Sequence, residues 1–220
     1  MIHLRAGDHV LCSRDVFGAT MSIFENTLKK FGVDVTFFTL TEADAWRAAA
    51  TSKTRILSLE VSSNPLNTIA ELTELATMSR DLDAILSVDN CFCTPALKQP
   101  LALGADIVTH SATKYLDGQG RVIGGALVGR EELIAPVVAF SRSRGPTMSA
   151  FNVWVMLKGL ETLDLRMRAH SDNAQVLAAW LQEPPMVQRM LYFGLPDHSS
   201  HELAARQQRR CGEVLAFNLA

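Results

Sequence analysis

Cysteine is scarce in this chain. The four present, Cys12, Cys91, Cys93 and Cys211, are unevenly spaced over 220 residues, so no disulfide framework is readable and a reducing compartment is the simpler setting. Equally missing is an apolar run long enough to span a bilayer. The opening residues, Met1-Ile2-His3-Leu4-Arg5, do not set a basic segment before an apolar one as a secretory leader does. A cytoplasmic location with no membrane partner is therefore expected. Positive charge is not in excess: 21 Lys+Arg stand against 23 Asp+Glu, a net charge of -2. That balance argues against a nucleic-acid partner, because phosphate backbones are held by clustered cations. Internal repeats and low-complexity tracts are absent too. What remains has the composition of a globular protein, 48% hydrophobic and 20% charged, and enough chain for one full core and part of a second.

Between residues 8 and 129, short apolar runs alternate with longer stretches of helical spacing, as in βαβ units around a mostly parallel sheet. Strands are expected at 9–12, 33–38, 55–60, 84–89, 106–110 and 125–128, and helices at 20–31, 42–50 and 69–82, with Gly32 placed to stop the first. Several of these strands end in a polar residue. In open α/β sheets ligands bind at that edge, so Glu60, Asp89 and Ser111 are expected to converge on one crevice. Beyond residue 129 the pattern changes. Apolar residues recur at helical spacing from 151 to 182, and Glu183-Pro184-Pro185 closes what would be one long connecting helix. A strand at 187–193, a helix at 201–208 and a strand at 214–219 follow. The expected organisation is a larger α/β domain over 1–145 and, over 146–220, the connecting helix with the start of a smaller α+β domain. A strand at the very end of a chain leaves an open edge, so the second domain is expected to be cut short.

Three segments can carry chemistry. In Ser111-Ala112-Thr113-Lys114-Tyr115, a strand runs into a turn presenting two hydroxyls and a lysine. A lysine at a strand end can be partly desolvated toward the free amine that carbonyl chemistry needs, while the hydroxyls donate to an anion. Alone, the pattern fits an exposed structural lysine as well. In Ile85-Leu86-Ser87-Val88-Asp89-Asn90, an apolar strand ends in a carboxylate 25 residues before Lys114. Such an Asp can hold a proton on a cofactor's ring nitrogen, or it can serve as a turn former. In Glu60-Val61-Ser62-Ser63-Asn64-Pro65, the proline restricts Asn64 to extended or turn backbone and turns its amide toward the crevice.

Taken together and in order, Asp15-Val16-Phe17-Gly18-Ala19-Thr20, the tract from Glu60 to Pro65, Val88-Asp89-Asn90 with Thr94-Pro95, Leu103-Gly104-Ala105-Asp106 and Ser111-Ala112-Thr113-Lys114-Tyr115 resemble the Cys/Met-metabolism PLP-dependent (trans-sulfuration) enzymes. Cys91-Phe92-Cys93-Thr94-Pro95, Tyr115-Leu116-Asp117-Gly118-Gln119-Gly120-Arg121, Gly145-Pro146-Thr147 and Phe151-Asn152 are most similar to the branch that replaces the acyl group of O-succinylhomoserine with sulfide. The resemblance covers essentially the whole chain. It implies a fold-type I PLP-dependent transferase acting on a small amino-acid substrate, with pyridoxal 5'-phosphate as cofactor and a homo-oligomer, a dimer of dimers in the family. It makes Lys114 the lysine that carries the cofactor covalently and moves substrate protons, and Asp89 the partner of the pyridine nitrogen. It further implies that Ser111 and Thr113 hold the phosphate, that Asn64 lies near the ring hydroxyl, and that Phe17 takes the place of a stacking Tyr. Glu60-Val61-Ser62-Ser63 and Gln119 depart from the family pattern. The family's Gly-rich phosphate turn, the Tyr and Arg lent to a neighbouring subunit and the arginine that clamps the substrate carboxylate have no match, so a fragment or degenerate copy of a longer enzyme is expected, and the alternative to an active enzyme is a catalytically inactive fragment that at most folds and associates.

Other features read blandly. Gly118-x-Gly120-x-x-x-Gly124-Gly125 lacks the spacing of a dinucleotide loop. Cys91 and Cys93 have no nearby ligand set for zinc and are expected to be small buried residues. His198 and His201 are expected at the surface, and the Leu, Met and Trp stripe from 154 to 180 is expected to be core.

Overall fold

The computed structural model describes residues 2–41 and 43–220, so the expected helix start at Glu42, like Met1, lies outside the described residues. Among the described residues, eight strands form two sheets. The larger has the order β2-β1-β3-β4-β5-β6, with β1 (His9–Ser13), β2 (Asp34–Phe38), β3 (Thr54–Glu60), β4 (Ile85–Asp89), β5 (Ile107–Ser111) and β6 (Gly125–Gly129). The first five are parallel, and β6 runs antiparallel to β5. Each falls within a residue or two of its expected position.

Period-two alternation sorts the strand side chains between two faces, and here both faces are covered. Val10 and Cys12 of β1 pack with Leu28 and Val33 on one side. Leu11 between them joins the main core with Leu57, Leu59, Leu86, Val88 and Val108 on the other. Burial on both sides is why these strands read as nearly continuous apolar runs. Helix α2 (Ala43–Ala49) brings Trp46 into the main core, and α3 (Leu72–Asp81) adds Leu72, Leu75 and Ala76, a buried stripe at helical spacing. The helix expected at 20–31 is irregular. It runs from α1 (Gly18–Ser22) through a wider turn at Ile23–Thr27 into a tighter one at Leu28–Phe31. Gly32 ends it at φ +77°, a conformation for which glycine has no Cβ penalty.

After β4 come α4 (Thr94–Leu97) and a short tight turn at Pro100–Leu103. Beyond β6 the structure departs from expectation. Helix α5 (Glu131–Arg144), not expected from the sequence, carries Pro136 inside it and buries no residue. The single helix expected over 151–182 is two, α6 (Ala150–Leu160) and α7 (Leu163–Leu181). At the break, the Gly159 carbonyl is taken by the Arg166 guanidinium at 2.8 Å and the Thr162 hydroxyl at 3.4 Å, in competition with a continued helical ladder. The expectation that the stripe from 154 to 180 is core is also corrected: Trp154 is 55% and Trp180 58% exposed. Only one side of the stripe, including Val155, Met156, Leu163 and Met167, is buried.

The second sheet pairs β7 (Val187–Leu191) antiparallel with β8 (Ala216–Leu219), with α8 (His201–Gln207) between them. Asn67, fully buried, ties this part to the larger sheet by donating to the carbonyls of Leu191 (2.8 Å) and Val214 (2.9 Å). Gln207 adds a bond to the Ala70 carbonyl at 3.1 Å. His198 and His201 are half-buried rather than surface groups, and the His201 ring lies 2.8 Å from the Phe193 carbonyl. Among the described residues no helix is long and apolar enough to cross a membrane, and no cluster of His, Cys, Asp or Glu could hold a metal ion.

Candidate active site

The parallel register brings the carboxyl ends of β3, β4 and β5 to one edge. Glu60 pairs with Asp89 across β3 and β4, Asp89 pairs with Thr109 across β4 and β5, and β5 ends at Ser111. The chain leaves each strand into a loop there, and the loops enclose a cavity of about 250 Å³. Its walls are Phe17, Glu60, Asn64, Asp89, Cys91, Phe92, Ser111, Thr113 and Lys114. All six residues singled out from the sequence, Phe17, Asn64, Asp89, Ser111, Thr113 and Lys114, thus line one cavity.

Asp89 is half-buried, and its Oδ1 accepts the Cys91 N–H at 3.0 Å, leaving Oδ2 with no protein donor among the described residues. Burial raises its pKa, which that amide partly opposes. Glu60 is buried to 5% exposure and its Oε2 accepts the Phe17 N–H at 2.9 Å. Burial first and the neighbouring Asp89 charge second push its carboxyl up to about 7. Lys114 stands at the mouth with its Nζ 5.9 Å from the centre of the Phe92 ring. Its side chain is exposed.

The two hydroxyls differ. Thr113 Oγ1 donates to the Gly124 carbonyl (3.3 Å) and accepts the Gly124 N–H (3.1 Å), which ties the 111–118 turn to the start of β6. Ser111 Oγ makes no hydrogen bond among the described residues and is the hydroxyl available to a ligand. Asn64 is exposed at the rim. Beneath the cavity, buried Asn90 donates to the carbonyls of Thr94 (3.1 Å) and Lys98 (3.0 Å) and fixes the loop after β4.

Cys91 and Phe92 line the cavity without having been assigned a role from sequence. Their signal is position: they follow the carboxylate that ends β4 by two and three residues. Cys91 is buried, as expected, and burial, together with the nearby Asp89 charge, pushes its thiol up to about 11. It is therefore a packing group and not a nucleophile.

The donor set suits pyridoxal 5'-phosphate: an amine able to join an aldehyde, a half-buried carboxylate with one free oxygen for a protonated ring nitrogen, a free hydroxyl for the phosphate, and aromatic rings at the rim. Comparison with known proteins agrees. The chain is 52% identical over 214 residues to O-succinylhomoserine sulfhydrylase of Pseudomonas aeruginosa, a match covering 97% of this chain and 53% of that protein. It is 41% identical to cystathionine gamma-synthase of Mycobacterium leprae, covering 99% of this chain and 56% of that one. The crystal structure of metB from Corynebacterium glutamicum superposes with a TM-score of 0.97 at 34% identity, over 100% of this chain and 57% of the other. The chain spans about half the length of the curated relatives it matches. The family model for the Cys/Met metabolism PLP-dependent enzymes matches residues 1–220, and the chain belongs to that family.

Proposed function

We propose that the cavity holds pyridoxal 5'-phosphate and that the reaction served is γ-replacement on an O-acylhomoserine, O-succinylhomoserine first, by sulfide to give homocysteine. The observation that carries this reading is the gathering of Lys114, Asp89, Ser111, Thr113, Asn64 and Phe17 around one cavity at the carboxyl edge of the sheet. The 52% identity to a sulfhydrylase supports the choice of acyl donor. The same cofactor chemistry with cysteine as the sulfur donor is the second reading, favoured by the 41% identity to a cystathionine gamma-synthase.

When bound, the cofactor supplies an electron sink for charge developing on the substrate's α and β carbons. The chain's own part is to hold that group and to manage protons. Asp89 Oδ2 keeps the pyridine nitrogen protonated, a bond that favours the ionised carboxylate its burial otherwise disfavours. Ser111 Oγ donates to the phosphate, and Thr113 joins it only by giving up its bond to Gly124. Asn64, at the rim, would lie near the ring hydroxyl, and the Phe17 ring would cover the face of the pyridine. The Lys114 amine would hold the cofactor covalently, and as a free base it would move the substrate's α and β protons.

Borohydride reduction after incubation with pyridoxal phosphate, followed by peptide mapping, tests this directly. A pyridoxyl adduct confined to Lys114 and lost in Lys114→Ala is expected. Labelling spread over surface lysines, equal in both proteins, overturns the reading. With the adduct in hand, turnover of O-succinylhomoserine with sulfide against turnover with cysteine decides between the two donors.

A further inference from the structure

Phe17 is the least anchored wall of the cavity. Its side chain is 69% exposed, it belongs to none of the buried apolar clusters, and it caps the start of α1 without a side-chain hydrogen bond. Its position is therefore set by its backbone. Two carboxylates hold that backbone. Asp15 accepts the Leu40 N–H at 3.0 Å and the Ser13 hydroxyl at 3.2 Å, both on Oδ2, pinning the base of the loop. Glu60 reaches from the end of β3 and accepts the Phe17 N–H itself at 2.9 Å, across 43 residues of chain. We propose that Glu60 is a positioning residue: its carboxylate grips the Phe17 amide and so fixes the Phe17 ring over the occupant of the cavity. The identity of that occupant rests on the cofactor reading above; the grip does not.

A carboxylate at this place does what a neutral acceptor cannot. The charged groups facing Glu60 are Asp89 at the end of β4, Asp15 in the loop after β1, Lys114 after β5, and the Cys91 thiol beside Asp89. Burial and Asp89 hold the Glu60 carboxyl at about 7, while the Phe17 N–H and Lys114 oppose them. Near neutrality the group thus passes between a neutral acid and a charged acceptor, and bonds to a charged acceptor are shorter and stronger. The Phe17 amide is gripped more firmly as the pH rises through about 7.

The test follows the Phe17 amide by NMR from about pH 5 to about pH 9 in the wild type, Glu60→Gln and Glu60→Ala, first without cofactor. In the wild type the amide proton is expected to titrate with a midpoint near 7, moving downfield as the carboxylate forms. Glu60→Gln keeps an acceptor but no charge, so the titration disappears while slow exchange of the Phe17 amide survives. Glu60→Ala exchanges that amide about tenfold faster or more, in keeping with a lost charge-assisted bond, and binds pyridoxal phosphate about tenfold more weakly by the same reasoning. A flat Phe17 amide in the wild type, or an equal titration in Glu60→Gln, overturns the proposal. Because Glu60→Gln is nearly isosteric, it decides the matter even where Glu60→Ala does not fold. A Phe17 titration seen alongside scattered lysine labelling sinks the cofactor reading and leaves the grip standing; the reverse pair of results does the opposite.

Discussion

Glu213 sets both carboxylate oxygens inside the protein, and burial pushes its carboxyl from 4.5 up to about 7, which the nearby Tyr115 hydroxyl only partly opposes. An acid whose pKa is raised by folding binds more protons folded than unfolded between those two values. Its stability is therefore whole below about 4.5 and is lost as the pH rises to about 7. With some water access discounted, the loss is about 1–2 kcal/mol. Glu213→Gln removes the ionisation, so urea unfolding should show the variant gaining on the wild type from pH 4 to pH 8 by about that amount; a constant difference across the range refutes the assignment. Lys98, 1% exposed with an unpartnered Nζ, is a second buried charge, its pKa lowered by desolvation. Neither was legible in the sequence, because nothing local to Glu213 or Lys98 says that a distant segment will close over it. Asp89 and Ser111 were legible, because a polar residue ending an apolar run in an alternating α/β pattern lies at the ligand edge whatever the tertiary detail. For Lys114 the sequence offered both a partly desolvated lysine and an exposed one, and the structure shows it exposed.

At the level of elements, the turn that carries Lys114 depends on how closely α6 approaches it. Val155 and Met156 of α6 pack on Ala112 and Leu116 of the turn, and buried Asp117 braces it by accepting the Arg121 amide at 2.7 Å and side chain at 2.9 Å. Gly159 makes the approach possible: a Cβ there would overlap the Leu116 carbonyl oxygen and lie 2.6 Å from that of Asp117. Backbone on both sides leaves nothing flexible to yield. Gly159→Ala is expected to cost about 2–3 kcal/mol in thermal or urea unfolding despite alanine's better helix propensity, and to weaken pyridoxal phosphate binding by displacing Lys114. A variant as stable as the wild type would show that α6 does not sit against the turn. The same contact explains what the helical spacing over 151–182 could not reveal. Periodicity reports which residues are apolar, whereas the break into α6 and α7 comes from Thr162 and Arg166 turning back to the Gly159 carbonyl. Helix α5 was missed although Leu133, Ile134, Val137 and Val138 recur at helical spacing, because Pro136 in their midst reads as a breaker. Strand β1 was placed well because burial on both faces wrote it as an apolar run.

On the scale of the whole molecule, the faces of α6 and α7 turned from the turn and the sheet are the least settled part. Phe151, Trp154, Leu157, Leu165, Val176 and Trp180 are each more than half exposed, an apolar density that monomeric proteins seldom leave in water. Electrostatics offers little to keep copies apart, since the net charge is only -2 over 220 residues. Burying such side chains gains about 25 cal/mol per Å², so two copies meeting through these helices would be stabilised with no new polar contact. Self-association is the expected outcome, read as a weight-average mass that rises with protein concentration in sedimentation equilibrium. Replacing Trp154 and Leu157 by serine should return the mass toward that of one chain, 24.1 kDa, while circular dichroism keeps its helical signal, because neither side chain belongs to a buried cluster. A wild type that sediments as a single chain at every concentration would show instead that these faces are tolerated in water.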